Sequence, residues 1–316
     1  MSDQADGLRR LMRERGASPD ESRTVGDKTA SDPEPIPIRS TRRNGSARSY
    51  VFTGGKGGVG TSNLALNIAV ALGELGREVV VIDADFGAAN LDLLCGIRPK
   101  RDLGDVLAGE CDLADTIVQG PGGIRVVPGS HGIKTFVDML GDGPERLIAD
   151  LARLESTAEF MFIDAGSGSD AVWSRGGIAA DELIVVTTPE PTSVAEARVV
   201  IQGLRGLAGP KRIRVLVNQA NSAAEADDVV ARLTASSRRF LGMTIDPLGH
   251  VRIDDSVRAA VRDRLPFIVT TPKSPAARDV RRTARRLVEE RAPTRGERPG
   301  LIASLATRWA LERVAV

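Results

Sequence analysis

Between Val51 and Asn63 the chain reads V-F-T-G-G-K-G-G-V-G-T-S-N. A short β-branched and aromatic run breaks into glycines, after which Leu64, Ala65, Ile68, Ala69 and Leu72 recur at helical spacing. The local order is therefore strand, glycine loop, helix. Such a loop turns consecutive backbone N–H groups into one concavity at a helix N-terminus, where the macrodipole also favours negative charge, so a polyphosphate is the expected guest. Gly55, Lys56, Gly57, Gly58, Val59, Gly60, Thr61 and Ser62 form this candidate cradle, with Ser62 where a phosphate-loop hydroxyl would hold Mg²⁺. One position departs from the pattern G-x-x-x-x-G-K-[ST]: Thr61 replaces the lysine that reaches the terminal phosphates.

The rest of the chain supplies a setting for that unit. Strand candidates are 50–53, 79–83, 124–128, 160–164, 183–187, 214–218, 248–251 and 267–269, and helical stretches are 61–75, 145–155, 170–179, 193–207, 223–237, 254–263 and 274–290. Strand and helix alternate, which predicts an α/β fold: a mostly parallel twisted sheet with helices on both faces. With 316 residues and 41% hydrophobic content, one such domain with tails fits best. A formal net charge of +1 gives no global attraction to nucleic acid or membrane, and aromatics at 3% offer no stacking platform for single strands. Cys95 and Cys111 read as reduced thiols, and His131 and His250 have no companion at metal-ligand spacing. No secretory signal or long apolar run is visible, so the expected location is cytosolic.

The ends differ from the middle. Residues 1–14 place Ala5, Leu8, Leu11 and Met12 at helical spacing after a possible Ser2 cap, forming a short amphipathic helix. Residues 15–47 are rich in Ser, Pro, Gly, Asp and Arg without apolar periodicity and read as a flexible linker. The domain is expected over 48–290. In the tail, 291–316, Ile302, Leu305, Trp309 and Val316 share roughly one helical face, suited either to an anionic membrane or to packing on the protein itself.

Two carboxylate motifs follow strands. Asp83-Ala84-Asp85 ends the second strand, at the carboxyl edge where open α/β sheets bind ligands, and such a carboxylate supports Mg²⁺ or orients an attacking water. Phe160 to Asp164 is an apolar strand closed by a carboxylate and then by Gly166 and Gly168, with Asp164 placed for the Mg²⁺ shell.

Together these motifs resemble the MinD/ParA family of P-loop ATPases, whose loop K-G-G-V-G-K-[ST] is matched from Lys56 to Ser62 except at Thr61. The resemblance implies ATP and Mg²⁺ as cofactors. It implies that Asp85 acts on the attacking water, with Asp83 supporting the metal side. It implies an ATP-bound homodimer in which Lys56 reaches the other subunit's phosphates. It also implies that Asn218 reads adenine, with the loop carrying Ile253 and Asp254 closing over the base. The phrase from Ala179 through Thr192 is similar to one branch, the flagellar regulators FlhG, FleN or YlxH. Asp3, Gln4, Ala5, Leu8 and Arg9 fit that branch's N-terminal pattern D-Q-A-x-x-L-R, which implies engagement of an FlhF-like partner GTPase, with flagellar switch components as further partners.

A charge-assisted hydrogen bond contributes about 1.5–3 kcal/mol, so Thr61 is expected to weaken nucleotide binding by roughly one to two decades and hydrolysis more. Three functions follow from this reading. The first is a slow ATPase switch for flagellar number and placement. The second is a nucleotide-bound scaffold that hydrolyses nothing and activates a partner GTPase. The third is a positioning ATPase for DNA, division or other cargo.

Overall fold

The computed structural model describes residues 47–85, 88–130, 144–167, 180–203, 212–290, 300–304 and 307. The N-terminal helix expected over 1–14, the linker expected over 15–47 apart from its last residue, Ala47, which is buried in the core, the helix expected over 170–179, and most of 291–316 lie outside these residues.

The phosphate-loop strand lies well inside an eight-stranded sheet. The strands are β1 (Arg48–Gly54), β2 (Val79–Asp83), β3 (Val118–Gln119), β4 (Arg125–Val127), β5 (Phe160–Ser167), β6 (Glu182–Thr187), β7 (Arg212–Ala220) and β8 (Asp246–Arg252). They lie in the order β3-β4-β2-β5-β1-β6-β7-β8, and every pairing is parallel except β3 on β4. Parallel strands must be crossed over by helices, so both faces are covered and the strand sequences are nearly continuous apolar runs. In β2 Val79 and Val81 face one core while Val80 and Ile82 face the other.

On the first face lies α1 (Thr61–Glu74), whose residues from Leu64 to Leu72 are all buried, beside α10 (Pro275–Glu289). Phe52 and Phe162 meet there with ring centroids 4.8 Å apart. The second face carries α5 (Pro144–Ser156), α6 (Pro191–Gly203) and α7 (Ala223–Leu241). Between β2 and β4 run three short helices that the sequence pattern did not disclose: α2 (Leu91–Cys95), α3 (Leu103–Leu107) and α4 (Leu113–Thr116). After β8 come α8 (Asp255–Arg262) and α9 (Phe267–Thr270).

The segment 267–269, expected as a strand, is instead α9. Phe267 and Ile268 are consecutive and both buried, which a pleated strand on one core does not allow. The Ile268 N–H is claimed by Asn67 Oδ1 of α1 at 3.0 Å, so it has no ladder to join.

At the amino edge of the sheet, opposite the loop, a buried ionic network closes the domain. Arg214, 0% exposed, donates to Glu182 and to both oxygens of Glu290 at 2.7–3.3 Å. Burial alone would raise the Glu290 carboxyl, but hydrogen bonds from Arg286 and Arg214 hold it down at about 2. Arg48, the first residue of β1, donates to the carbonyls of Leu287 and Glu290.

The start of the final segment packs on the domain. Leu301 and Ile302 are each 2% exposed within the second core, and their N–H groups donate to the buried Glu155 carboxylate at 2.9 and 3.3 Å. A carboxylate at a helix N-terminus satisfies orphan donors and complements the dipole. Glu155→Ala should therefore destabilise the protein by about 1–3 kcal/mol. Hydrogen exchange should accelerate at Leu301 and Ile302 before it changes in the sheet.

Candidate functional site: a phosphate loop beside three carboxylates

The loop from Gly55 to Ser62 joins β1 to α1 at the sheet's carboxyl edge. Val59 is buried beneath it, while Gly57 and Gly58 stand exposed at its crest. Gly60 takes φ +91 as the residue before the helix, a conformation that glycine adopts without steric cost. It brings no side-chain cap, and the first turn holds no acidic residue. The helix therefore presents its N–H groups and positive dipole end to whatever occupies the loop.

Three carboxylates converge beside it. Asp83 and Asp164 are register partners on the adjacent strands β2 and β5, 1% and 0% exposed. Asp83 Oδ1 accepts the N–H of Asp85 at 3.2 Å, and Oδ2 accepts those of Asn90 and Leu91 at 2.8 and 2.9 Å. These bonds tie the strand end to α2. Asp164 Oδ1 accepts the Gly166 N–H at 3.0 Å, but Oδ2 is buried without a hydrogen-bond partner. The Ser62 hydroxyl, in the first turn of α1, eases the same carboxylate's charge, although nothing meets Oδ2 in hydrogen-bond geometry. Burial above all pushes both acids up, Asp83 to about 6 with the charge of Asp85 adding to it, and Asp164 to about 7 with the charges of Asp83 and Asp85 adding to it. The third carboxylate, Asp85, lies against Gly166, where φ is +61 and a methyl group would sit 2.1 Å from Asp85 Oδ2. Only glycine leaves that carboxylate its place.

Buried acids with a raised pKa, one unmatched oxygen and a hydroxyl at an uncapped helix terminus fit a divalent cation held beside phosphates. Ser62 and Asp164 would face it directly. Asp83, whose oxygens both receive backbone donors, is suited to act through water.

Lys56 sits at the loop's edge and is turned toward its own chain. Its Nζ donates to Glu190 Oε2 at 2.8 Å and to Thr192 Oγ1 at 3.2 Å. Neither acceptor is among the site residues that the sequence singles out, since only the fold brings positions 190 and 192 beside position 56. Ser193, in the first turn of α6, accepts the Thr188 N–H at 3.0 Å and so fixes this turn.

Asn218, at the end of β7, donates from Nδ2 to the Val59 carbonyl at 2.8 Å, and Oδ1 accepts the Gln219 N–H at 2.9 Å. Its amide thus lies on the loop, next to Gly60. Ile253 is half exposed, with its N–H bonded to Ala220 O at 3.0 Å. Asp254 uses one oxygen to cap α8 at Ser256 and the other to accept the Ala276 N–H of α10. Burial alone would raise its pKa, but those bonds lower it. Ile253 and Asp254 therefore sit at the end of β8, with Asp254 acting as a clip between helices. Asp3, Gln4, Ala5, Leu8 and Arg9 lie outside the described residues.

Comparison with known proteins agrees with this geometry. Residues 50–267 match the model of the CobQ/CobB/MinD/ParA nucleotide binding domain. The antiactivator FleN of Pseudomonas aeruginosa is 39% identical over 226 residues, 71% of this chain and 80% of that protein. The flagellum site-determining protein YlxH of Helicobacter pylori is 32% identical over 153 residues, 48% of this chain and 52% of that one. Among solved structures, the septum site-determining protein MinD from Pyrococcus horikoshii, complexed with Mg-ADP, superposes with a TM-score of 0.60 at 25% identity, covering 77% of this chain and 96% of that one. A central glycine loop, two strand-end carboxylates in register and a match across most of its length make this chain a member of the MinD/ParA nucleotide-binding family, related to FleN and YlxH.

Proposed function

We propose that the chain is an ATP-operated switch that dimerises with the triphosphate bound, hydrolyses it slowly, and regulates flagellar number or placement. The observation that carries the reading is the buried, unmatched Asp164 oxygen beside the uncapped start of α1. A cation and a phosphate chain would satisfy both ends of that arrangement at once. Bound Mg²⁺ would draw charge from the phosphoryl oxygens. The chain's own groups do the rest: loop amides bind the phosphates, Asp85 orients water, and Asn218 and the loop at Ile253 and Asp254 receive the base. Lys56 would have to leave Glu190 to meet a second subunit's nucleotide, which makes the ion pair at 2.8 Å a resting contact.

The flagellar assignment rests on the likeness to FleN and YlxH and on the N-terminal D-Q-A-x-x-L-R match. In this reading residues 1–14 bind an FlhF-like GTPase, residues 15–47 tether them, and part of the tail beyond residue 304 is available for peripheral membrane contact. No helix among the described residues is long and apolar enough to cross a membrane. Thr61 favours a second reading, a nucleotide-bound scaffold that does not turn over, because the residue that most directly stabilises charge on the departing phosphoryl group is absent.

Calorimetry and mass measurement with Mg·ATP and Mg·ADP test the first reading: ATP alone should produce the dimer, and a monomer with either nucleotide would rule the switch out. Asp85→Ala should cut phosphate release by about a hundredfold or more, and Thr61→Lys should raise the single-turnover rate. Release unaffected by Asp85→Ala would leave the scaffold.

The carboxylate pair also sets a pH dependence. Because folding raises both acids, the native state keeps protons that the unfolded chain has already released, so stability falls as pH rises from about 4 to about 7. Thermal melts of nucleotide-free protein should show this fall. Asp164→Asn keeps the acceptor for Gly166, and it should flatten the profile and raise the Tm near neutral pH by a few degrees, ~2–4 °C per kcal/mol recovered.

A further inference from the structure

Asn218 has a second duty at the phosphate loop, one that rests on the nucleotide reading above. It stands near the carboxyl end of β7, half-buried, and its Nδ2 donates at 2.8 Å to the Val59 carbonyl, 159 residues away in the chain. Its Oδ1 accepts the Gln219 N–H at 2.9 Å. A carbonyl needs a donor and an N–H needs an acceptor, so the two bonds together fix which way round the amide sits. The backbone bends to make the second bond. Gln219 takes φ +55, which residues other than glycine seldom adopt, where the β7–β8 register shifts between Val217 and Ala220.

Val59 and Gly60 share the peptide that Asn218 grips. That peptide is planar and trans, so its C=O and its N–H point opposite ways. With the carbonyl turned to Asn218, the Gly60 N–H is aimed away from it. Gly60, at φ +91, has no side chain to resist a turn of the plane. Turned over, the plane would present an oxygen where it now presents an N–H, and an oxygen repels phosphate. Asn218 also fills the space that the glycine leaves, since a methyl group on Gly60 would lie 2.5 Å from Nδ2. An asparagine amide has two donor hydrogens and two acceptor sites. The loop and Gln219 take one of each. One of each remains, which is the pair an adenine edge requires, so holding the loop does not exclude the base.

We propose that Asn218 is a positioning residue for phosphate: it holds the Val59–Gly60 peptide in the orientation that aims the Gly60 N–H at the phosphate chain. The grip on phosphate then depends on a side chain from another strand, whether or not a base is present.

Titration calorimetry of the full chain with Mg²⁺ and inorganic tripolyphosphate, which has no base, tests this beside a non-hydrolysable ATP analogue. Asn218→Leu keeps much of the side chain's shape without its donor, and Asn218→Ala removes both. Each should weaken tripolyphosphate binding about three- to tenfold while melting within a few degrees of the parent. Unchanged tripolyphosphate affinity, with only the ATP analogue weakened, overturns the proposal and leaves the switch standing with Asn218 as a reader of the base. If neither variant folds, NMR of the parent decides. Phosphate on the Gly60 N–H polarises that peptide and strengthens the Val59 carbonyl as an acceptor, so tripolyphosphate should move the bonded Asn218 side-chain proton downfield. A proton that stays in place overturns the proposal equally. Failure of the parent to bind either ligand removes the nucleotide reading, and the positioning role falls with it.

Discussion

Two buried carboxylates lie side by side in the sheet. Asp83 ends β2, and Asp164 is its register partner on the neighbouring β5. Like charges this close resist ionisation, and the low dielectric around them sharpens the conflict. Backbone donors from α2 relieve Asp83. Asp164 receives the Gly166 N–H on one oxygen and no partner on the other. The loop, the glycine at 166 and the turn into α2 are arranged around this unresolved charge.

Much of this arrangement was legible in the sequence because it is local. Glycines after a β-branched run, Asp-Ala-Asp after a second strand and Asp164 after a third each announce a strand end within a few residues. Parallel order follows from the alternation of strand and helix. What stayed hidden depends on partners distant in the chain. Lys56 meets Glu190, Asn218 meets the Val59 carbonyl, and Glu155 meets Leu301, across gaps that no periodicity reports. Phe267 to Val269 misled because β-branched and aromatic composition reports burial as readily as strand, and Asn67 had already claimed the backbone. The short helices after β2 are too brief for a 3.6-residue pattern to emerge, and two of them are held by capping boxes.

The tail illustrates how one residue pattern serves opposite ends. Apolar residues on one face of a terminal helix suit a bilayer or a protein core equally well, and hydropathy does not distinguish them. For the first two residues of that helix, and for those alone, Glu155 does, because a buried carboxylate has value only where donors are brought to it. Leu301 and Ile302 bring two.

Arg48 and Glu290 bear on how the two ends of the domain are held. The guanidinium at the head of β1 grips the last carbonyls of α10, and Arg214 clamps the Glu290 side chain from beneath. Residues 48 and 290, where the described domain begins and ends, are thus fastened together at the amino edge of the sheet, a strand's length from the glycine loop, so a load applied at one is shared by the other.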